Sequence, residues 1–185
     1  MFEFIIEKDK ELLLYLNGLG SERWDEFWLF VSHKFSALPL YISLLFFCLK
    51  FLKWRKTLVI LLCVALMIVA TDQLANLFKY GFERLRPCHD ETLISQMRHV
   101  ICGGKYGYFS AHAASSMAVA TFFSLLFHHR IKWLSFVLLS WSFLVGYSRI
   151  YLGVHFPGDV ITGFVLGGIL GYIFYKIAFE KILKK

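Results

Sequence analysis

The chain has 185 residues, 58% of them hydrophobic, with a mean hydropathy of +0.60 and a formal net charge of +7. Ordinary soluble domains run to roughly 45–50% apolar residues, so this composition excludes one and fits a single membrane-embedded domain over 1–185. No train of alternating ten-residue segments is present, which argues against an outer-membrane barrel.

The first 36 residues differ from the rest. Charges interrupt "MFEFIIEKDKELLLYLNGLGSERWDEFWLFVSH" too often for it to cross a bilayer. Phe4, Ile5, Leu12, Leu13, Tyr15 and Leu16 instead predict an amphipathic helix lying in the membrane interface. The chain turns at "NGLGS", and Trp24 to Val31 predicts a second such segment. No pattern of basic region, apolar region and small-residue cleavage site precedes them, so no removable signal peptide is expected.

Five apolar stretches follow, at 37–51, 58–78, 113–127, 133–147 and 160–179. Each approaches the roughly 20 residues that cross a bilayer core as a helix, the first being short enough to need flanking residues. The expected fold is therefore all-α: a polytopic helical membrane protein with about five spans over 37–185 and interfacial helices over 1–36.

Three basic clusters fall at span ends: "KFLKWRK" (50–56), "HHRIK" (128–132) and "KILKK" (181–185). With five spans all three share one side, as the positive-inside rule expects for the cytoplasm. The segment through Lys34 carries seven acidic and four basic residues and falls on the other side. The positive charge thus orients the protein in a bilayer, and no nucleic-acid partner is expected.

The same topology brings Lys79, Arg86, His112, Arg149, His155 and Asp159 to one membrane surface. Along the second span Asp72, Asn76, Lys79, Glu83 and Arg86 recur at helical spacing, predicting one polar face. Asp72 lies deepest and is expected to be a buried hydrogen-bond partner; Glu83 and Arg84 read equally well as a solvated helix end. Three cations with two histidines and an aspartate suggest an anion site with nucleophilic and acid–base capacity. Ser110 opens a helix, whose N-terminus favours phosphate. His155 and Asp159, four apart, allow a carboxylate to fix one imidazole nitrogen and leave the other free. Small residues at Gly163, Gly167 and Gly171, and in "AHAASSMA", predict close helix packing that would bring His112 toward His155. Taken singly, each residue also fits a structural role, such as an interfacial anchor or a helix start at Pro157.

The spacing resembles the type 2 phosphatidic acid phosphatase family of membrane lipid phosphatases, relatives of the vanadate haloperoxidases. "KYGFERLRP" (79–87) matches the first family motif, K-x-x-x-x-x-x-R-P, and "SRIYLGVHFPGD" (148–159) matches the third, S-R-x-x-x-x-x-H-x-x-x-D. "FSAH" (109–112) stands for the second, P-S-G-H. The resemblance implies that His155 attacks phosphorus to form a phosphohistidine, oriented by Asp159, and that His112 protonates the leaving oxygen and then activates water. It implies that Lys79, Arg86, Arg149, Ser110 and the Ala111 N–H hold the phosphoryl oxygens, with no metal or other cofactor. Two departures stand out. Ala111 disfavours positive φ where the family has glycine, and Phe109 removes the rigidity of proline.

The activity so implied is removal of a terminal phosphate from phosphatidic acid, phosphatidylglycerol phosphate, a polyprenyl diphosphate or lipid A, on the non-cytoplasmic face of a membrane. The compact size favours a bacterial inner membrane, with an endoplasmic-reticulum phosphatase as the alternative. Phosphotransfer to a second lipid and non-catalytic lipid binding are the alternatives. The sequence does not fix an oligomeric state. Cys48 and Cys63 read as small buried hydrophobes. Cys88 and Cys102 lie in the active-site loop (79–112), where an oxidising outer compartment would favour a disulfide; two free thiols too far apart to join are the other reading.

Overall fold

The computed structural model describes residues 2–180; the "KILKK" cluster lies outside them. Its order is α1 (Phe2–Gly18), a 3-10 turn (Glu22–Trp24), α2 (Asp25–Ser32), α3 (Leu38–Phe51), α4 (Trp54–Phe82), a second 3-10 turn (Pro87–His89), α5 (Glu91–Ile94), α6 (Ala111–Phe127), α7 (Leu134–Tyr151) and α8 (Pro157–Ala178). Each apolar stretch becomes a helix, the one structure besides a closed barrel that satisfies backbone groups without water. Among the described residues there is no strand, only the isolated Leu85–Tyr106 bridge. The all-α expectation holds.

α4, α7 and α8 are long and apolar enough to cross a membrane, while α3 and α6 are shorter apolar helices of 14 and 17 residues. At 1.5 Å per residue α3 reaches only about 21 Å against a core of about 30 Å. The helices also overrun the predicted stretches. α7 continues past Tyr147 to Tyr151, so Ser148 and Arg149 are helical rather than the opening of a loop.

α6 is the central helix, packed against α8, α7 and α4. Its contact with α8 is backbone-close because glycines line the facing side. A Cβ at Gly163 would stand 2.7 Å from the Ser110 carbonyl oxygen, and one at Gly171 would stand 2.9 Å from the Thr121 Cβ. The predicted small-residue packing is the α6–α8 interface. Away from it, large apolar side chains face outward, among them Phe46 on α3, Leu62 on α4, Phe136 on α7 and Ile161 on α8. That inverted surface is what lipid contact requires.

The two ends of the bundle differ in chemistry. At one end the Arg130 guanidinium lies 5.2 Å from the Phe51 ring, bringing the 50–56 and 128–132 clusters together as expected. At the other end α1 docks on the turn between α7 and α8. The buried Asn17 donates from Nδ2 to the Tyr151 carbonyl at 2.8 Å and accepts the Arg98 N–H at 2.8 Å. Arg98 reaches both oxygens of Asp25 at 2.8 and 2.9 Å, linking α2 to the same corner. Gly153, at φ +76°, reverses the chain after α7.

α1 therefore has two apolar faces. Phe4, Ile5, Leu12 and Tyr15 are exposed, as an interfacial helix predicts, but Leu13 is fully buried beside Ile150, Phe156 and Val160. Leu13 and Leu16 face protein rather than lipid, because the bundle end offers an apolar shelf.

Candidate active site

Three segments converge at the α1 end of the bundle. The first is the exit of α4. Lys79 sits on its last turns, half-buried, and the helix stops at Glu83, whose left-handed φ of 49° turns the chain outward. Residues 84–86 then run extended against 105–107: the Arg86 N–H donates to the Lys105 carbonyl at 3.0 Å and the Gly107 N–H to the Arg84 carbonyl at 2.9 Å. Arg86 thus joins Lys79 by a chain reversal rather than along one helix face, which corrects the five-residue stripe. Asp72 also departs from expectation. It is exposed, and among the described residues it has no hydrogen-bond partner, because the flank of α4 that bears it is not covered.

The segment beside Arg86 is held by its glycines and a disulfide. A Cβ at Gly107 would press to 2.8 Å from the Arg86 Cγ, and Gly103 packs on the same guanidinium. Arg86 Nε donates to the Tyr106 carbonyl at 3.1 Å. Cys88 and Cys102 are joined, with Cα atoms 5.8 Å apart, as one of the two sequence readings expected. Closing a 15-residue loop is worth roughly 3 kcal/mol of unfolded-chain entropy. Reduction is accordingly expected to lower the melting temperature by roughly 10 °C, given 2–4 °C per kcal/mol for a chain of this size. Peptide mapping without reductant should recover a Cys88–Cys102 pair; two freely alkylated thiols in native, unreduced protein would contradict it.

The second segment is the start of α6. Ser110 is its N-cap, fully buried, and its Oγ accepts the Ala113 N–H at 3.4 Å. Ala111 is the first helical residue; Glu83 is the only non-glycine residue at positive φ among those described. The family's glycine is therefore replaced here without backbone cost. Phe109 is completely buried with its ring 5.3 Å from that of Phe78, so packing supplies the rigidity that proline would give. His112 lies in the first turn with its side chain exposed, within electrostatic reach of Arg149, His155, Lys79 and Arg86.

The third segment joins α7 to α8. Arg149 is buried to 7% exposure; one amino group donates to Ser32 Oγ on α2, and its Nε has no protein partner among the described residues. His155 precedes α8 and is 2% exposed. Its Nδ1 lies 3.4 Å from Asp159 Oδ2, which also accepts the Phe156 N–H at 3.1 Å. Burial first, then the charges of Arg86, Arg149 and Lys79, hold the imidazole pKa well below its usual value. The ring is therefore neutral at neutral pH.

The fold brings together all eight residues expected at the site, and adds others that local sequence gave no reason to include. Arg84 bonds Asp159 Oδ1 at 2.8 Å and Asp9 Oδ2 at 2.6 Å. It lies two residues before Arg86 on an extended run, and that period of two was the available signal for a shared side. Asp9 and Ser32 come from the interfacial helices, and no local pattern marks either one. Lys79, Arg86 and Arg149 leave a concentration of positive charge that an anion with several oxygens would neutralise.

A helical membrane bundle with these cations beside a neutral histidine held by an aspartate has the design of a lipid phosphatase. The chain belongs to the PAP2 superfamily, whose family model matches residues 59–183. It is 38% identical over 182 residues to a lipid A 4'-phosphatase of Bacteroides thetaiotaomicron, covering 96% of this chain and 80% of that one. A lipid A 4'-phosphatase of Porphyromonas gingivalis is 36% identical over 178 residues, covering 95% and 75%. The crystal structure of Aquifex aeolicus LpxE is similar in fold, with a TM-score of 0.69 at 28% identity over 90% of this chain and 93% of that one.

Proposed function

We propose that this membrane lipid phosphatase removes a phosphate from a lipid A type glycolipid on the extracytoplasmic face of a bacterial inner membrane, through a phosphohistidine at His155. The convergence of Lys79, Arg86 and Arg149 on the His155–Asp159 pair carries the reading. The likeness to two lipid A 4'-phosphatases supports the substrate, because it runs through the N-terminal helices that contribute Asp9 and Ser32 to the site. A count of five spans, with α3 and α6 helped by flanking residues, supports that side, because the positive-inside rule then assigns the 50–56 and 128–132 clusters to the cytoplasm.

Asp159 holds the proton of His155 on Nδ1, leaving the Nε2 lone pair to attack phosphorus. As the N–P bond forms, the P–O bond to the sugar breaks, and His112 donates a proton to the departing oxygen. Water then attacks phosphorus on the opposite side from nitrogen; His112 takes its proton, the N–P bond breaks and inorganic phosphate leaves. Lys79, Arg86, Arg149 and the first-turn N–H groups of α6 neutralise the phosphoryl oxygens throughout, and Ser110 fixes the start of that helix.

The test is phosphate release by purified protein from lipid A, phosphatidic acid, phosphatidylglycerol phosphate and undecaprenyl diphosphate. We expect kcat/KM for lipid A to exceed the others by at least about tenfold, which is 1.4 kcal/mol of selective binding in the transition state. A preference for any of the other three would overturn the substrate reading while leaving the phosphatase chemistry intact.

A further inference from the structure

Four hydrogen bonds close a circuit behind His155. Arg84 Nη1 donates to Asp159 Oδ1 at 2.8 Å, and Arg84 Nη2 donates to Asp9 Oδ2 at 2.6 Å. Asp9 Oδ1 accepts the Gly158 N–H at 2.8 Å, and Asp159 Oδ2 accepts the Phe156 N–H at 3.1 Å. The Arg84 guanidinium lies over the Phe156 ring at 4.1 Å, so its plane is fixed by stacking as well as by its bonds. Gly158 makes the approach of Asp9 feasible, since a Cβ there would stand 2.8 Å from the Asp9 carboxylate. Asp9 also sits at the N-terminus of α8, where the helix dipole favours an anion.

We propose that Arg84 is a positioning residue for the Asp159–His155 pair, and that Asp9 sets the charge with which it does so. The proposal rests on His155 being the nucleophile. Without Arg84, Asp159 Oδ1 would face the buried interior unpaired, and the carboxylate could rotate away from the imidazole. Arg84 paired with Asp159 alone would form a neutral unit, and Asp159 would lose its grip on the charge that His155 acquires. Asp9 returns the set Asp9–Arg84–Asp159 to a net charge of −1. As Nε2 bonds to phosphorus the ring becomes positive, and its Nδ1–H points at that net negative charge. The phosphate-holding cations Lys79, Arg86 and Arg149 lie outside the circuit. The effect should therefore fall on the chemical step and not on binding.

Asp9→Asn keeps the shape and removes one charge; Arg84→Lys keeps the charge and loses the fork; Arg84→Gln loses both. In single-turnover experiments with phosphate-labelled lipid, Asp9→Asn should slow phosphoenzyme formation roughly tenfold and Arg84→Gln about 100-fold, the scale of a misaligned reacting pair. KM should stay within about twofold for each, because phosphate binding is untouched. Arg84→Lys should recover part of the loss, and Asp9→Asn/Arg84→Gln, which restores the net charge of −1, should be less impaired than the product of the single losses. Unchanged phosphoenzyme formation in Asp9→Asn and Arg84→Gln would overturn the proposal. So would a rise in KM at constant kcat, or losses that merely follow the melting temperature with no recovery in Arg84→Lys. His155→Ala run beside them separates the two readings: turnover surviving there would refute the nucleophile, whereas an inactive His155→Ala with unaffected circuit variants would refute the circuit alone.

Discussion

Replacing His155 with alanine is expected to fold normally and to lose roughly 10⁴- to 10⁶-fold in turnover, as nucleophile deletions do. The side chain is 2% exposed, and its partner Asp159 keeps Arg84 and the Phe156 N–H, so its loss leaves a small cavity rather than an unpaired charge. The destabilisation should be about 1–3 kcal/mol, too little to unfold a helical bundle of this size. No neighbouring group replaces it. Asp159 is tied up by Arg84 and the Phe156 N–H, and Ser110 Oγ caps α6. Incubation with labelled substrate, followed by alkaline gel electrophoresis that preserves phosphohistidine, should give a labelled band for the unaltered protein and none for His155→Ala. A well-folded alanine variant that still releases phosphate would refute the covalent route.

His112→Ala should separate the two halves of the reaction. A lipid sugar alkoxide leaves badly, so removing the acid should cost about 10²- to 10⁴-fold in the first step. An activated aryl phosphate has a stable leaving group and needs little proton donation, so its first step should be nearly unimpaired. Its second step still lacks the base that activates water. The variant should therefore give a burst of one aryl alcohol per enzyme, then slow turnover, with phosphohistidine accumulating. With the lipid no burst should appear. Equal first-step losses on both substrates would rule His112 out as the acid. Its exposure at the start of α6, beside the buried nucleophile, suits a group that must meet both a leaving lipid oxygen and incoming water.

Hydropathy and spacing located the helices and the motif residues because both signals are local. A run of apolar residues forms a helix wherever the bundle later puts it, and His155 and Asp159, four apart at a helix start, meet with no help from distant chain. The boundaries were less legible. α7 extends to Tyr151 because Arg149 and Ser148 are buried against protein, which a hydropathy reading cannot distinguish from the end of a span. Asp72 was read as buried because lipid exposure of a carboxylate is costly, yet the flank of α4 that carries it is open. Arg84 looked like a solvated helix end. Its role appears only once Asp9 and Asp159, each 75 residues away in opposite directions, close on it.

Asp9 and Gly158 are 149 residues apart in sequence yet share a 2.8 Å bond beside the catalytic pair. During synthesis the ribosome delivers Asp9 first and its partner near the end, a delay of roughly 10–30 s at ordinary elongation rates. Until α8 has inserted, α1 has no Asp159–Arg84 pair to close on, although its exposed apolar face can already rest on the membrane surface. The nascent protein is thus catalytically silent while it threads through a bilayer full of phosphorylated lipids. Activity switches on in one late step, when the start of α8 docks and Asp9 meets Gly158.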